Sequence, residues 1–229
     1  MRRKDDGCHM AVCPVSTRIV VLTKVPIPGT VKTRLAAHIG EPAATALHEA
    51  MVWETLDRAQ ASGLPVDVSL SGDLNSTFAN QLKTSGLTVY AQAKGDLGAR
   101  LSSALRGPGR RIALGTDCVV FEPKWLQLAD TEGKTVSIGP ADDGGYWAIG
   151  ADLSAPGLDD TLFSGMAWSQ ATVCRATKER LDAIGHPIQW LPDCYDVDTI
   201  ADLHRLIGDR RCTGRVRAVL NGISGLKSP

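Results

Sequence analysis

The chain has 229 residues, 43% of them hydrophobic, and this length and composition suit one α/β domain with a sizeable core. Lysine plus arginine and aspartate plus glutamate number 25 each, and the resulting net charge of zero argues against a nucleic-acid-binding protein. No apolar run is long enough to span a bilayer, and Asp5, Asp6 and Gly7 stand where a signal peptide would have its apolar segment. We therefore expect a cytoplasmic protein with no membrane span.

Residues 1–17 are polar and lack periodicity, which predicts a flexible extension before a single domain over residues 18–229. That domain opens with the apolar run Ile19–Leu22, which is typical of a strand buried in a parallel sheet. A turn forced by two prolines and a glycine follows, and then basic residues where a helix can begin. The segment predicts a phosphate-binding loop at the carboxyl edge of a sheet, and an ordinary surface turn with solvated lysines is the alternative. The candidate phosphate ligands are Lys24, Gly29, Lys32, Thr33 and Arg34.

Two helices and two further strands are predicted between this loop and residue 93. Helical spacing over Pro42–Ala61 indicates a helix, and the alternating residues Pro65–Ser71 suit a strand. Asp73 is expected to cap a helix that runs to Thr84, and Leu87–Gln92 predicts another strand.

A second glycine-rich turn, Ala93–Leu101, opens a further helix. Asp96 could cap this helix by accepting backbone N–H groups, or it could contact a nucleotide or act as a catalytic carboxylate, and the sequence favours neither interpretation. If this turn faces the first loop across the sheet edge, Gly98 and Arg100 are candidate nucleotide ligands.

A third segment, Arg111–Asp117, places an apolar run before Gly-Thr-Asp, so that Asp117 follows the carboxyl end of a predicted strand. Ligands of open α/β sheets bind at such ends, and a hard divalent cation that bridges phosphates needs carboxylate oxygens there. The pattern favours Asp117 as a metal ligand, with a turn-forming aspartate as the alternative.

A hairpin is predicted after a helix over Glu122–Thr131. The strand Val136–Gly139 leads to Asp-Asp-Gly-Gly, which permits a tight reversal before the strand Tyr146–Ile149. Two acids and two glycines before an aromatic pair favour a substrate-facing loop over a simple hairpin turn. The candidates are Asp143 as a catalytic residue and Gly144, Gly145 and Tyr146 as substrate contacts.

Residues 156–169 are expected to form a loop, with Phe163 and Trp168 covering a pocket or packing on the core. Trp168 is therefore a further candidate substrate contact. A helix over Gln170–Ile184 and a strand over Ile188–Leu191 follow.

Closely spaced aspartates follow the last predicted strand. Thr199 and Asp202 form a Thr-x-x-Asp capping box that starts a helix to Gly208. Capping does not account for Asp196 and Asp198, whose alternation directs both carboxylates to one side of an extended segment.

Taken together, these motifs resemble a known family. They occur in the order Lys24-x-Pro-x-Pro-Gly-x-Val-Lys-Thr-Arg-Leu35, Gly95-Asp-Leu-Gly98, Gly115-Thr-Asp-Cys118, Gly139-Pro-Ala-x-Asp-Gly-Gly-Tyr146, Trp168-Ser169 and Asp196-x-Asp-Thr199. The chain is similar over residues 18 to about 207 to the small bacterial nucleotide-diphospho-sugar transferase-like proteins known as arsenosugar-biosynthesis-type glycosyltransferases, which have a GT-A fold.

The resemblance implies a GT-A-like, Rossmann-like three-layer sandwich with a mixed, mainly parallel central sheet. A nucleotide would lie above the carboxyl ends of the first strands, with Lys24, Lys32 and Arg34 facing its phosphates. Asp143 and the glycines after it would line the acceptor or sugar side. The implied cofactor is Mg²⁺ or Mn²⁺, with the ligands Asp117, Asp196 and Asp198.

The leading functional hypothesis is a metal-dependent glycosyltransferase that moves a sugar from a nucleotide-sugar donor to a small-molecule acceptor, with Asp143 as general base if the reaction inverts. The alternative enzyme is a guanylyltransferase-like nucleotidyltransferase that acts on a nucleoside triphosphate and a small phosphorylated substrate. The Gly-Gly-x-Ser-x-Arg loop of sugar nucleotidyltransferases is missing, which favours glycosyl transfer. A phosphatase based on Asp196-Val-Asp198-Thr199 is disfavoured because that element lies late in the chain, and a non-catalytic nucleotide-binding module is the fourth interpretation.

Overall fold

A computed structural model describes residues 17–131, 134–155, 158 and 162–223. The predicted extension lies outside the described residues apart from Thr17, which is buried and donates its hydroxyl hydrogen to Asp130. The predicted loop over residues 156–169 is described at residues 158 and 162–169. The division of the chain into an extension and one domain stays a prediction.

Seven strands and eight helices alternate along the described part of the chain. The strands are β1 (Arg18–Lys24), β2 (Val66–Ser71), β3 (Thr88–Ala91), β4 (Arg111–Leu114), β5 (Val136–Pro140), β6 (Tyr146–Ala151) and β7 (Ile188–Trp190). The helices are α1 (Thr33–Ile39), α2 (Glu41–Gln60), α3 (Thr77–Thr84), α4 (Leu97–Leu105), α5 (Pro123–Leu128), α6 (Val173–Ala183), α7 (Ile200–Gly208) and α8 (Gly214–Gly222).

All the strands join one sheet, in the order β3-β2-β1-β4-β6-β5-β7. Strand β6 runs antiparallel to β4 and to β5, whereas the other pairs are parallel. The antiparallel pair β5–β6 is the predicted hairpin around Asp-Asp-Gly-Gly. The prediction of an α/β fold with a mixed, mainly parallel sheet is confirmed.

Both faces of the sheet are covered by helices. In β1, Ile19 and Val21 join a core with α1, α2, α3, α5, α7 and α8, whereas Val20 joins a second core with α4 and α6. Successive side chains of a strand point to opposite faces, so a strand that is buried on both sides must be apolar throughout. This requirement explains the unbroken run from Ile19 to Leu22 and gives the predicted three layers.

One predicted helix start is wrong. Helix α3 begins at Thr77 and is capped by Ser76, whose side chain accepts a hydrogen bond from the N–H of Ala79 at 3.2 Å. Asp73 instead accepts from the N–H of Asn75 at 2.9 Å, which forms a local turn before the helix. An aspartate and a serine three residues apart are both good caps, and the sequence does not choose between them.

The sheet changes its winding direction at β1. The chain passes from β1 to β2 and β3 on one side and then returns to β4 on the other side of β1. The carboxyl ends of β1 and β4 therefore flank a crevice of the kind in which open α/β sheets bind ligands. Lys24 ends β1, and Asp117 lies three residues after the end of β4. None of the helices in the described ranges is long and apolar enough to cross a membrane.

Candidate functional site

Two adjoining cavities open at this edge of the sheet. The basic cavity has a volume of about 440 Å³, and its charged lining comprises Lys24, Lys32, Arg34, Arg100, Asp117 and Asp198. The acidic cavity has a volume of about 610 Å³ and is lined by Arg34, Arg205 and six aspartates, which are Asp117, Asp142, Asp143, Asp196, Asp198 and Asp202. Arg34, Leu97, Asp117 and Asp198 line both cavities and form their common boundary.

Lys32 connects three segments at the boundary, which are the turn after β1, the end of β4 and the segment before α7. It precedes α1 with a left-handed backbone conformation (φ 47°), which is strained for a residue with a Cβ. Its ammonium group hydrogen-bonds the carboxylate of Asp117 and donates to the carbonyl of Val197 at 2.6 Å. Only 3% of the side chain is exposed. Lys32 lines the basic cavity, but its ammonium is already engaged by protein oxygens, and its role as a phosphate ligand stays a prediction.

The charge of Lys32 keeps Asp117 ionised. Burial acts to raise the pKa of Asp117, but the charge and hydrogen bond of Lys32 outweigh it, with further support from the charges of His48 and Lys24, so the pKa is lowered. The Asp117 side chain still exposes 54% of its surface, because it faces the open boundary between the cavities. It is therefore an accessible carboxylate that stays negative at neutral pH.

Arg34 and Asp198 form a second ion pair on the boundary. Nη1 of Arg34 lies 2.9 Å from Oδ2 of Asp198, and the side chains are 74% and 43% exposed. Exposed pairs of this kind are weak, so a bound anion can compete for the guanidinium. The predicted phosphate ligands that the structure brings into the basic cavity are Lys24, Lys32, Thr33, Arg34 and Arg100, whereas Gly29 lies outside the lining in a turn with φ 77°.

His48 is a lining residue of the basic cavity that sequence reasoning missed. It lies on the buried face of α2, and its Nε2 is 3.3 Å from the carbonyl oxygen of Lys24. Burial is the main cause of a lowered pKa, so the imidazole is neutral at pH 7. A carbonyl can only accept, which places the proton of the neutral ring on Nε2. His48 could have been found from the sequence, because it is a polar residue within the apolar stripe of α2.

The predicted substrate loop lines the acidic cavity. Asp143, Gly145, Tyr146 and Trp168 all contribute, and Oδ1 of Asp143 accepts a hydrogen bond from the N–H of Gly145 at 2.8 Å. Gly144 is not part of the lining. It has φ 86°, and a Cβ there would lie 2.1 Å from the carbonyl oxygen of Ala171, so its role is the close packing of the loop.

Asp196 lies at the protein-facing side of the acidic cavity. The thiol of Cys118 donates to its Oδ1 at 3.0 Å. Burial, with repulsion from Asp143 and Asp117, raises the pKa of Asp196 to about 6 from its ordinary value of 3.8. Three carboxylates are therefore close enough to one another to oppose further negative charge.

Arg205 and Asp142 form an ion pair that the sequence did not reveal. Nη1 of Arg205 lies 2.5 Å from Oδ2 of Asp142, and the guanidinium carbon lies 3.8 Å from the centre of the Tyr195 ring. The two partners are 63 positions apart and belong to the hairpin turn and to α7, so only the fold joins them. Asp202, in contrast, forms the predicted capping box with Thr199.

Asp96 and Gly98 lie outside both cavities. Asp96 is the N-cap of α4, and its carboxylate accepts from the N–H of Ala99 at 2.9 Å. A Cβ on Gly98 would lie 2.9 Å from the carbonyl oxygen of Phe163 and 3.0 Å from the Trp168 ring, so this glycine lets the loop with Trp168 approach α4. The structure thus shows Asp96 as a helix cap and Gly98 as a packing residue, and the functional role of Asp96 stays a prediction.

The predicted metal ligands are only partly brought together. Asp117 and Asp198 line the common boundary, whereas Asp196 lines the acidic cavity alone. Within the described ranges, no group of three His, Cys, Asp or Glu side chains is arranged to hold a metal ion. Mg²⁺ is usually bound by one or two carboxylates together with substrate phosphates, and two carboxylates beside a basic cavity are chemically suited to such an ion.

Comparisons with solved structures agree with the fold. A protein from Desulfovibrio desulfuricans G20, provisionally assigned as a nucleotide-diphospho-sugar transferase, is 27% identical with a TM-score of 0.80, and the match covers 90% of this chain and 94% of that one. A nucleotidyl transferase from Methanothermobacter is 15% identical (TM-score 0.56; 84% and 96% covered). The inositol-1-phosphate CTP transferase of T. maritima is 12% identical (TM-score 0.50; 90% and 97% covered). For the two matches at 15% and 12% identity, the likeness shows the fold alone.

A search of curated proteins gave no match to the chain. The resemblance to arsenosugar-biosynthesis-type glycosyltransferases therefore stays a prediction. A family model matches residues 55–170, which is half of the chain. The chain belongs to this family, which is described as "Uncharacterized protein conserved in bacteria (DUF2064)".

Proposed function

We propose that the protein is a transferase that binds a nucleotide sugar in the basic cavity and passes the sugar to a small-molecule acceptor in the acidic cavity. One observation carries the proposal: two cavities of opposite charge meet at Arg34, Asp117 and Asp198. A diphosphate suits the first cavity because four cationic side chains line it. The likeness to the Desulfovibrio desulfuricans protein supports a transferase of this class.

The phosphate ligands in this proposal are Lys24, Arg34 and Arg100. Lys24 ends β1 at the crevice, and Arg100 projects from α4, with its Nε donating to the carbonyl of Gly95 at 3.2 Å. Both line the basic cavity, and neither is ion-paired among the described residues. Lys32 acts indirectly, since it holds Asp117 in place.

The reaction takes place at the boundary between the cavities. The acceptor oxygen attacks the anomeric carbon of the sugar, the bond from that carbon to the diphosphate oxygen breaks, and the nucleoside diphosphate leaves with the bonding electrons. The acceptor proton passes to a carboxylate, for which Asp143 is the candidate if the configuration inverts. Hydrogen bonds from Arg34 and Arg100 stabilise the charge that develops on the leaving diphosphate.

Asp117 and Asp198 are the proposed protein ligands of Mg²⁺ or Mn²⁺. Both carboxylates face the boundary where the diphosphate would lie, and the pKa of Asp117 is lowered, so it is ionised and able to bind a cation. When bound, such an ion would neutralise part of the charge on the leaving group.

Nucleotidyl transfer is the second candidate, because the same three phosphate ligands could hold a triphosphate. The two reactions differ in the attacked atom, which is the anomeric carbon in one and a phosphorus in the other. The preferred nucleotide therefore distinguishes them.

Isothermal titration calorimetry with nucleoside diphosphates, triphosphates and nucleotide sugars, each with and without Mn²⁺, tests the proposal. We expect a nucleotide sugar to bind most tightly and Mn²⁺ to strengthen its binding. Lys24→Ala and Arg100→Ala should each weaken binding, whereas Lys124→Ala, which removes an exposed lysine paired with Glu122 outside both cavities, should not. Tightest binding of a triphosphate would favour the second candidate. No binding of any nucleotide would contradict both.

A further inference from the structure

The acidic cavity constrains the molecule that it can hold. Its lining combines carboxylates with the aromatic residues Tyr146, Trp168 and Tyr195. A volume of about 610 Å³ is sufficient for a small ring-shaped molecule and lies within the range of small-molecule sites. The question is therefore which charge such a molecule carries.

The cations near this cavity are already engaged. Arg205 is bound to Asp142 at 2.5 Å and lies over the ring of Tyr195. Arg34 stands at the boundary and pairs with Asp198 at 2.9 Å. The two arginines of the lining thus each have an aspartate, and Lys32 is used by Asp117 on the far side of the boundary.

Three aspartates of this cavity form no ion pair among the described residues, and one of them, Asp202, is already used by the capping box with Thr199. Asp143 accepts a hydrogen bond through Oδ1 from its own turn, so Oδ2 remains available as an acceptor. Asp196 receives only the weak thiol donor of Cys118. Because six aspartates and only two arginines line the cavity, a phosphate or carboxylate beside Asp143 and Asp196 would be repelled.

The neighbouring cavity has the opposite preference. The cationic side chains that line it, Lys24, Lys32, Arg34 and Arg100, outnumber its two aspartates. Six aspartates outnumber the two arginines in the acidic cavity, so an anionic group is attracted to the basic cavity and disfavoured in the acidic one even if it displaces an aspartate from one of these exposed arginine pairs. A molecule in the acidic cavity must instead offer hydrogen-bond donors to Asp143 and Asp196, and its carbon faces can pack against the aromatic rings.

We propose that the acidic cavity binds a non-phosphorylated polyol, meaning a sugar, amino sugar or cyclitol whose hydroxyl or ammonium groups donate to Asp143 and Asp196. The inference rests on the proposed function for the identity of this cavity as the sugar and acceptor side. The polyol is either the acceptor or the sugar of the donor. If it is the acceptor, a phosphorylated acceptor is disfavoured, which sets the protein apart from a transferase that acts on a sugar phosphate.

Saturation-transfer difference NMR tests the inference with matched probes. The pairs are glucose with glucose 6-phosphate and myo-inositol with myo-inositol 1-phosphate, and glucosamine serves as the cationic probe. Each probe is titrated into the free protein and into protein saturated with whichever of ADP, CDP, GDP and UDP binds most tightly, so that phosphates in the basic cavity are displaced. In the nucleotide-saturated protein, where the basic cavity is occupied, we expect the unphosphorylated members and glucosamine to bind at least tenfold more tightly than the phosphates.

Variants of Asp143 test whether this carboxylate causes the preference for unphosphorylated probes. Asp143→Asn should reduce the difference within each pair, and Asp143→Lys should reverse it, while far-ultraviolet circular dichroism and the melting temperature show that both variants are folded. Equal or tighter binding of the phosphates by the nucleotide-saturated wild type would overturn the inference, as would the absence of binding by every unphosphorylated probe. Saturation with a nucleotide sugar shows whether the polyol is the acceptor or the sugar of the donor. The nucleotide sugar blocks the probes only if its sugar fills the acidic cavity.

Failure of the proposed function would give different results from failure of this inference. If no nucleotide binds but the polyols still do so in the manner described, the transferase proposal fails and the polyol cavity stands. If nucleotides bind and polyols do not, the polyol inference fails and the transferase proposal stands.

Discussion

Lys32 and Asp117 lie 85 positions apart in the chain, yet the ammonium group of one hydrogen-bonds the carboxylate of the other. The same ammonium also donates to the carbonyl of Val197. One lysine thus joins the turn after β1, the end of β4 and the segment before α7. Because Asp117 lines both cavities, Lys32 fixes a carboxylate at the point where they meet.

Replacement of Lys32 by Met should destabilise the protein. Met has a similar length but no charge, so the variant loses the bond to Asp117 and leaves the Val197 carbonyl without this donor. Charge-assisted hydrogen bonds contribute about 1.5–3 kcal/mol each, and we expect a total loss near the lower end of this range because Asp117 is half exposed. Urea unfolding at neutral pH measures the change.

Lys124→Met is the matched control for Lys32→Met. Lys124 also forms an ion pair, with Glu122 at 2.7 Å, but the two side chains are 70% and 41% exposed. Such a pair is worth at most about 1 kcal/mol. Equal losses in the two variants would show that burial of Lys32 adds nothing to its ion pair.

The strands and the loops that carry the site could be predicted because their signals are local. The run Ile19–Leu22 must be apolar to lie between two helical layers, and Asp117 follows directly on an apolar strand. The partners of these residues could not be predicted, since the bond from Lys32 to Val197 spans 165 positions. Asp96 stayed ambiguous for another reason: a helix cap and a catalytic carboxylate share the same local sequence.

Asp96→Ala should lower stability without changing nucleotide binding. The carboxylate caps α4 through the N–H of Ala99, and loss of a cap costs about 0.5–2 kcal/mol. Asp96→Ser should retain most of the stability, because serine is also a good cap. A weakened nucleotide affinity in either variant, measured by calorimetry, would revive the functional interpretation of Asp96.

Arg34→Ala should weaken the binding of a nucleoside diphosphate while leaving the fold intact. The lost phosphate contact corresponds to about 1.5–3 kcal/mol, or about a ten- to hundredfold loss of affinity. The ion pair with Asp198 is exposed, so the free energy of unfolding should change by less than about 1 kcal/mol. Arg215→Ala is the control, because Arg215 is 59% exposed, pairs with Asp57 at 3.5 Å and lines neither cavity. Equal affinities in the two variants would remove Arg34 from the phosphate site.

Asp117→Asn should abolish the effect of Mn²⁺ on nucleotide binding. An amide oxygen carries no charge, so the variant loses the ionised ligand at the boundary of the cavities. Electron paramagnetic resonance of Mn²⁺ in the presence of a nucleoside diphosphate reports the bound fraction directly. Asp73→Asn, which changes an aspartate in a turn outside both cavities, should bind Mn²⁺ as the wild type does. Undiminished Mn²⁺ binding by Asp117→Asn would exclude this carboxylate as a ligand.

His48 should make the protein less stable as the pH falls below about 6.5. Burial lowers the pKa of its imidazole in the folded state, so below that pH the unfolded chain binds more protons than the folded one. The free energy of unfolding must then decrease with falling pH, and the contribution of His48 is fully retained above pH 6.5.

His48→Gln cannot titrate, and its amide N–H can still donate to the Lys24 carbonyl. Urea unfolding of both proteins at pH 7.5 and 5.5 should therefore give a larger loss for the wild type than for the variant. Other groups titrate in both proteins and cancel in the comparison, including Asp196, whose raised pKa acts in the opposite direction. Identical losses would mean that His48 is protonated as readily in the folded protein as in the unfolded chain.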